Sequence, residues 1–401
     1  MTASNSEARV PTSDRTGSLE AAPTTMAAIP TDRATRLALS SVIEGGEPAV
    51  AEVTAVSGAS AAWQQVCDGR FGEGLAERAA ALDLDRVLAR AARSRARFVV
   101  PGDEEWPERL GDLRYCDEVQ RRGGVPFGLW LRGPGHLSQL AERSVAIVGS
   151  RTATPYGTTV ATDLGAELAE AGFTVVSGGA YGIDTAAHQG ALAAAGPTIA
   201  VVANGVDVAY PQGNRKLFDW VGEHGLIVSE LAPGTHPSRV RFLARNRLIA
   251  ALSRGVVVVE AAVRSGALNT ASWASGLGRT VMGVPGPVTS APSAGVHQLI
   301  RARDALLVTS GEEVLEAVAP MGSFTLVEPR EDERPRDRLE ARERQVLDAV
   351  PLVRAADSAS IARSAGVAHG RTKDALLALH RAGLVEHSLG RWRVVTDSES
   401  P

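Results

Sequence analysis

The sequence predicts an α/β fold whose centre is a doubly wound, mostly parallel sheet, with a small helical region before it and a compact helical domain with a hairpin after it. Three observations predict it. Short apolar runs recur between Val145 and Val308, each separated from the next by a stretch with helical spacing. Those runs are nearly continuous Val and Ile, as expected of strands covered on both faces. Two of them stop at glycine-containing turns that lead straight into helix-like segments: Gly149-Ser150-Arg151, and Gly178-Gly179 with Tyr181 and Gly182. Such turns present bare backbone N–H groups where a phosphate can sit.

Along the 401 residues the elements follow in order. Residues 1–32 are rich in Ala, Ser and Thr without an apolar run, and read as a disordered tail. Residues 33–97 read as a small helical domain, from Arg36–Ile43 and Leu82–Ala92 at helical spacing with glycines between. Phe98-Val-Val-Pro-Gly, Trp106-Pro-Glu-Arg-Leu110 and Val125-Pro-Phe-Gly-Leu-Trp-Leu131 form an apolar lead-in, their tryptophans packing in the core. Residues 98–320 make the α/β core, with strands at Val145–Val148, Thr174–Ser177, Thr198–Val202, Leu226–Ser229, Val256–Glu260, Thr280–Val284 and Leu306–Val308. Helices fit Thr158–Ala171, Asp184–Ala195, Arg215–Glu223, Ala244–Leu252 and Asn269–Leu277. Residues 321–341, dense in both charge signs and carrying Pro329 and Pro335, read as a linker. In residues 342–396, helices at Glu343–Val350, Ser358–Ala365 and Thr372–Ala382 precede a hairpin turning near Gly390, which suggests a winged helix.

Composition narrows the function classes. With 44% hydrophobic and 22% charged residues the chain is an ordinary globular one, and no apolar run approaches a membrane span. Two cysteines, Cys67 and Cys116, make neither a disulfide framework nor a zinc site, which points to a reducing cytoplasm. A net charge of -4 excludes a uniformly basic surface, yet Arg239, Arg241, Arg245, Arg247, Arg254 and Arg264 face only Glu260 within one window. From Ser358 to Val395 six basic residues stand against two acidic ones. Arg371, Lys373 and Arg391 on the last helix and hairpin are its candidate DNA contacts, with protein contact an equal alternative.

The glycine spacings exclude the dinucleotide fingerprint, so NAD is not the expected ligand, and no Walker loop, Ser-His-Asp signature or metal-ligand cluster is present. No catalytic residue, metal or cofactor is assigned. Asp184 is expected to cap the helix it begins, His188 to be packed or on the surface, and Glu260 to pair with an arginine that orients the site.

Taken together, Ala146-Ile-Val-Gly-Ser-Arg151, Val176-Ser-Gly-Gly-Ala-Tyr-Gly-Ile-Asp-Thr-Ala-Ala-His188, Asn246-Arg-Leu-Ile-Ala250, Ser265-Gly-Ala-Leu-Asn-Thr-Ala271 and Val284-Pro-Gly286 resemble the DNA-processing protein A family, also called Smf. The resemblance implies an extended Rossmann-like core that binds single-stranded DNA, forms a homodimer and loads the recombinase RecA in natural transformation. It also implies a SAM-like domain before the core and a winged helix after it. Carried over by position, Gly149, Ser150 and Arg151 match the family's first phosphate turn and Gly178, Gly179 and Gly182 the second. Arg245, Asn246 and Arg247 match its R-N-R segment, and Ser265, Gly266 and Thr270 its S-G-x-L-x-T-A segment. All are expected to line one basic pocket.

Two departures stand out. Tyr181 replaces the family's usual arginine, removing a cation and offering a ring on which a base can stack, and Phe242-Leu-Ala-Arg-Asn-Arg247 replaces F-P-x-R-N-R. A competing reading is a nucleotide phosphoribohydrolase of the lysine-decarboxylase-like group, which uses an acidic residue in P-G-G-x-G-T-x-x-E. Here Glu260-Ala-Ala-Val-Arg-Ser-Gly lacks both the glycine pair and the following glutamate. A third is an interaction scaffold with a vestigial pocket, for which DNA binding would be weak and nearly insensitive to salt.

Overall fold

The computed structural model describes residues 31–320 and 339–395. The expected tail up to residue 30 and most of the expected linker lie outside the described residues. The chain forms two compact units, one within Met1–Leu326 and one within Val327–Pro401.

The first unit begins with five helices: α1 (Thr31–Val42), α2 (Pro48–Ser57), α3 (Ala59–Cys67), α4 (Glu73–Ala80) and α5 (Leu84–Arg93). Next come β1 (Arg97–Val99), a 3-10 turn at Glu108–Arg114, β2 (Leu129–Arg132) and α6 (Leu137–Glu142). The α/β alternation follows: β3 (Ser144–Val148), α7 (Pro155–Glu170), β4 (Thr174–Ser177), α8 (Ile183–Ala193), β5 (Thr198–Val201), α9 (Arg215–His224) and β6 (Leu226–Ser229). It continues with α10 (Arg239–Leu252), β7 (Gly255–Val258), α11 (Gly266–Gly276), β8 (Thr280–Gly283), α12 (Ala294–Ala302), β9 (Leu306–Leu307) and α13 (Gly311–Val318).

The nine strands pair in the order β1-β2-β6-β5-β4-β3-β7-β8-β9. The seven strands from β3 to β9 are parallel, and β1 and β2 run antiparallel on the β6 edge. Every residue of β3 to β7 is buried, which is why these strands read as unbroken apolar runs. The chain order reverses between β3 and β7. At such a switch point the loops leaving neighbouring strands diverge and open a crevice at their carboxyl ends.

Five helices fill the region read from two helical segments, and they are not set apart from the core. Leu37 of α1 and Ala91 of α5 share one hydrophobic cluster with Trp130, Phe218 and Ile227. A second cluster, containing Leu39, Val42, Val50, Ala62 and Val66, holds the helices to one another and includes Phe127.

His188 of α8 is fully buried, its Nδ1 2.7 Å from the Thr198 hydroxyl, which itself donates to the Val175 carbonyl. Burial, with the nearby Arg245 charge, pushes its pKa down to about 3. An unfolded histidine titrates near 6.5, so below that pH the unfolded chain binds a proton the native state refuses. Stability should therefore fall as pH drops from about 6.5 toward 3, by up to about 1.4 kcal/mol per unit from this group. Urea midpoints measured from pH 7 to pH 4 should show a shallower decline for His188→Gln than for the unmodified protein.

The second unit comprises α14 (Ala341–Asp348), β10 (Ala356–Asp357), α15 (Ser358–Ala365), α16 (His369–Arg381), β11 (Val385–Ser388) and β12 (Arg391–Val394). Its strands form one antiparallel sheet in the order β10-β12-β11. The hairpin turns at Leu389 and Gly390, both at positive φ. Trp392 closes a small core with Val346, Ile361 and Leu376. The unit thus has three helices and an antiparallel hairpin. Among the described residues of either unit, no helix is long and apolar enough to cross a membrane.

Candidate functional site

A groove of about 1110 Å³ opens at the switch point, lined by the loops after β3 and β7, the start of α8, and α10 and α11. Of the residues singled out in the sequence, Gly149, Ser150, Arg151, Arg245, Asn246, Ser265, Gly266 and Thr270 line it. The two glycine turns lie against each other. Gly182 (φ +78°) packs so closely on the first turn that a Cβ there would stand 2.3 Å from the Ser150 carbonyl oxygen. Gly178 serves the groove from beneath: a Cβ on it would strike the Arg245 guanidinium at 2.1 Å.

Arg245 is the central charge. Its residue is only 7% exposed, its Nη1 donates to the Gly178 carbonyl at 2.7 Å and to the Val201 carbonyl, and its Nε has no partner among the described residues. Burial pulls its pKa down to about 10, opposed by Asp184, so it stays charged at neutral pH. Arg151, Arg239 and Arg264 also line the groove, and among the described residues none of these four arginines forms an ion pair. Asp184 is the one carboxylate in the lining. It does not cap α8, whose N-cap is Gly182. Instead it accepts from the Ala180 N–H at 3.3 Å, and burial raises its pKa despite Arg245. Four cations against one carboxylate in a partly enclosed groove make a site for anions.

Several expectations need correcting. Arg247 does not reach the groove. It is fully buried, with Nη1 and Nη2 on the two Glu230 carboxylate oxygens at 2.9 and 2.6 Å, and with further bonds to the carbonyls of Gly124 and Ala244. Arg245 and Arg247 are two residues apart on one helix, about 200° around its axis, so they cannot share a face. That spacing was a readable signal. Arg241 is likewise committed, to Glu44, and Arg254 donates to the Glu142 carbonyl. Gly178, Gly179 and Gly182 shape the groove without lining it. Tyr181 is also outside the lining; it is half-exposed, and its hydroxyl accepts from the Gly213 N–H. Among the described residues Glu260 pairs with no arginine: its carboxylate accepts from the Thr154 N–H at 2.9 Å and from the Thr154 hydroxyl, fixing the residue that caps α7.

The aromatic surface missed in the sequence is Phe242 with Tyr210. Arg151 lies over the Phe242 ring at 4.6 Å, and the Tyr210 ring is 5.8 Å from it, both aromatics lining the groove. Phe242 falls three residues before Arg245 on α10, the spacing that puts both on one helix face. Asn269 was also missed; its Oδ1 accepts from the Asn246 amide, and its own Nδ2 is buried without a partner.

Residues 97–319, from β1 through α13, match the model of the DNA recombination-mediator protein A family. A Mycobacterium tuberculosis protein named for DNA processing, DprA, is 44% identical over 359 residues, covering 87% of this chain and 92% of the relative. DNA processing protein DprA of Streptococcus pneumoniae is 46% identical over 181 residues, covering 45% of this chain and 64% of its own. The X-ray structure of the S. pneumoniae protein superposes with a TM-score of 0.59 at 32% identity, over 74% of this chain and 99% of that one. A matching model across more than half the chain, and a relative spanning nearly all of it, settle its membership: the chain belongs to the DNA recombination-mediator protein A family.

Proposed function

We propose that the groove binds single-stranded DNA, and that the protein is a recombination mediator that protects incoming strands and loads RecA onto them during natural transformation. The observation that carries the DNA reading is Arg245, a charged guanidinium held at the groove floor with no ion pair among the described residues and with Asp184 as the one nearby carboxylate, against three further arginines in the lining. Such an excess of cations is costly unless a ligand supplies anions, and a sugar-phosphate backbone does so at regular intervals. Arg151, Arg239 and Arg264 extend the same charge along the groove. Phe242 and Tyr210 offer rings to unstacked bases, which a duplex keeps stacked inside its helix. Family membership supports the mediator role, the RecA partnership, the homodimer and a cytoplasmic setting. In the second unit we propose a winged helix whose Arg371, Lys373 and Arg391 add DNA contacts.

The reading is of a binding protein rather than an enzyme. A glycosidase would need a free carboxylate at the strand end, and both oxygens of Glu260 are spent on Thr154. Titration of labelled oligo-dT by the full-length protein tests the proposal. Each phosphate neutralised on a single strand contributes about 0.7 to the salt slope, so four arginines should give log K against log salt a slope of about -2 to -3. Affinity for the matching duplex should be lower. The winged-helix contacts add to that slope in the full-length protein, so the triple variant Arg371→Ala, Lys373→Ala, Arg391→Ala should bring it back to the groove's own contribution. Weak binding that ignores salt would favour the scaffold reading, and base release from nucleoside monophosphates would favour the enzyme.

A further inference from the structure

One wall of the groove comes from a segment whose sequence gave no functional signal. Between the 3-10 turn and β2, Val119 and Arg122 exchange both backbone hydrogen bonds, each 3.1 Å, closing a two-residue hairpin. Its central residues, Gln120 and Arg121, have φ of +52° and +63°. Asn and Gly normally fill that turn, because side chains resist the left-handed conformation. A strained turn of this kind persists only where its surroundings hold it.

What holds it is the α1–α2 loop, residues 43–47. Arg122 donates to the Glu47 carboxylate at 3.2 Å, and the Gly123 N–H donates to the Gly46 carbonyl at 3.1 Å. The Gly124 carbonyl accepts from Arg247 Nε at 3.1 Å. The same loop grips α10, since Glu44 takes Arg241 through two hydrogen bonds of 2.8 and 2.7 Å. Helix α10 carries Phe242, Arg245 and Asn246 into the groove, so one loop of the N-terminal helices fixes two of its walls.

Gln120 lines the groove, is exposed, and among the described residues makes no hydrogen bond. The groove is rich in cations for phosphates. Gln120 adds a different chemistry, a carboxamide that presents a donor and an acceptor side by side, as base edges do. We propose that the Val119–Arg122 hairpin is a base-contacting wall of the groove, with Gln120 hydrogen-bonding the edge of an unstacked base and the α1–α2 loop setting its position. This rests on the single-stranded DNA reading above. It gives the N-terminal helices a role in recognition that their own sequence does not reveal.

The test compares two oligonucleotides of equal length, oligo-dT and an abasic analogue that keeps the phosphates. Both are titrated over a salt series with the full-length protein. Gln120→Ala should weaken oligo-dT about 3–10-fold, the range for one hydrogen bond, leaving the salt slope, the melting temperature and abasic binding unchanged. Glu47→Ala should reproduce part of the loss on oligo-dT alone, and should add nothing in combination with Gln120→Ala, because it acts through Gln120. Unchanged oligo-dT binding by Gln120→Ala, or an equal loss on both oligonucleotides, overturns the proposal. Unmodified protein that binds neither oligonucleotide overturns the reading of the groove itself, and this inference with it.

Discussion

Arg247→Ala is expected to cost the first unit about 3–5 kcal/mol of stability, the range for removing one partner of a buried ion pair. The Arg247 side chain is 1% exposed and that of Glu230 is 7% exposed. Truncation leaves the carboxylate buried without its cation, and leaves the Gly124 and Ala244 carbonyls without their donors. For a unit of this size the loss should lower Tm by roughly ten degrees. Replacing both partners with apolar residues, Arg247→Met with Glu230→Leu, should recover much of that loss, since no charge is then stranded. The salt slope for oligo-dT should not change, because no phosphate contact is removed. Calorimetry and the salt titration together check this: a normal Tm with a shallower slope would put Arg247 in the groove after all.

Arg151→Ala should show the opposite signature. Arg151 is exposed, forms no ion pair among the described residues, and rests on the Phe242 ring beside the Gly149 turn. Its loss removes a charged donor from the binding site and nothing from the core. Affinity for oligo-dT at low salt should fall about 10–150-fold, corresponding to about 1.5–3 kcal/mol for a hydrogen bond to a charged group. The slope should drop by about 0.7, and Tm should stay within a degree or two. Arg151→Lys should restore the charge and only part of the affinity, because an ammonium has neither the planar face that lies on Phe242 nor the fork that takes two phosphate oxygens. Fluorescence anisotropy across a salt series measures both quantities.

The contrast between these two arginines shows what the sequence could and could not say. The parallel strands β3 to β7 were legible to within a residue or two because each is buried on both faces, which leaves a local mark in Val145–Val148 or Leu226–Ser229. Strands β1 and β2 were read only as an apolar lead-in. Val125-Pro-Phe-Gly-Leu-Trp-Leu131 has no alternation, and nothing local announces a partner in β6. Turns such as Gly149–Arg151 and Gly178–Gly179 were legible because glycine after an apolar run marks a local backbone geometry. The groove's aromatic floor was not, because Phe242 and Tyr210 meet only after α10 folds over the loop that follows β5. Arg245 and Arg247 carry the same chemistry in one motif, and only the helical angle between them separates a groove-lining cation from a core strut.

The antiparallel edge has a consequence for synthesis. Trp130 pairs with Ser229, 99 positions later, so a ribosome adding about 5–20 residues per second finishes β2 some 5–20 seconds before its neighbour exists. For that interval Leu129, Trp130 and Leu131, all buried in the finished molecule, lack β6, although β1, the 3-10 turn with Leu110 and Leu113, and the leading helices are already made. The nascent chain therefore carries a sticky, half-paired ribbon through about a quarter of its translation, and slowing or pausing elongation in that window lengthens the period in which aggregation competes with folding.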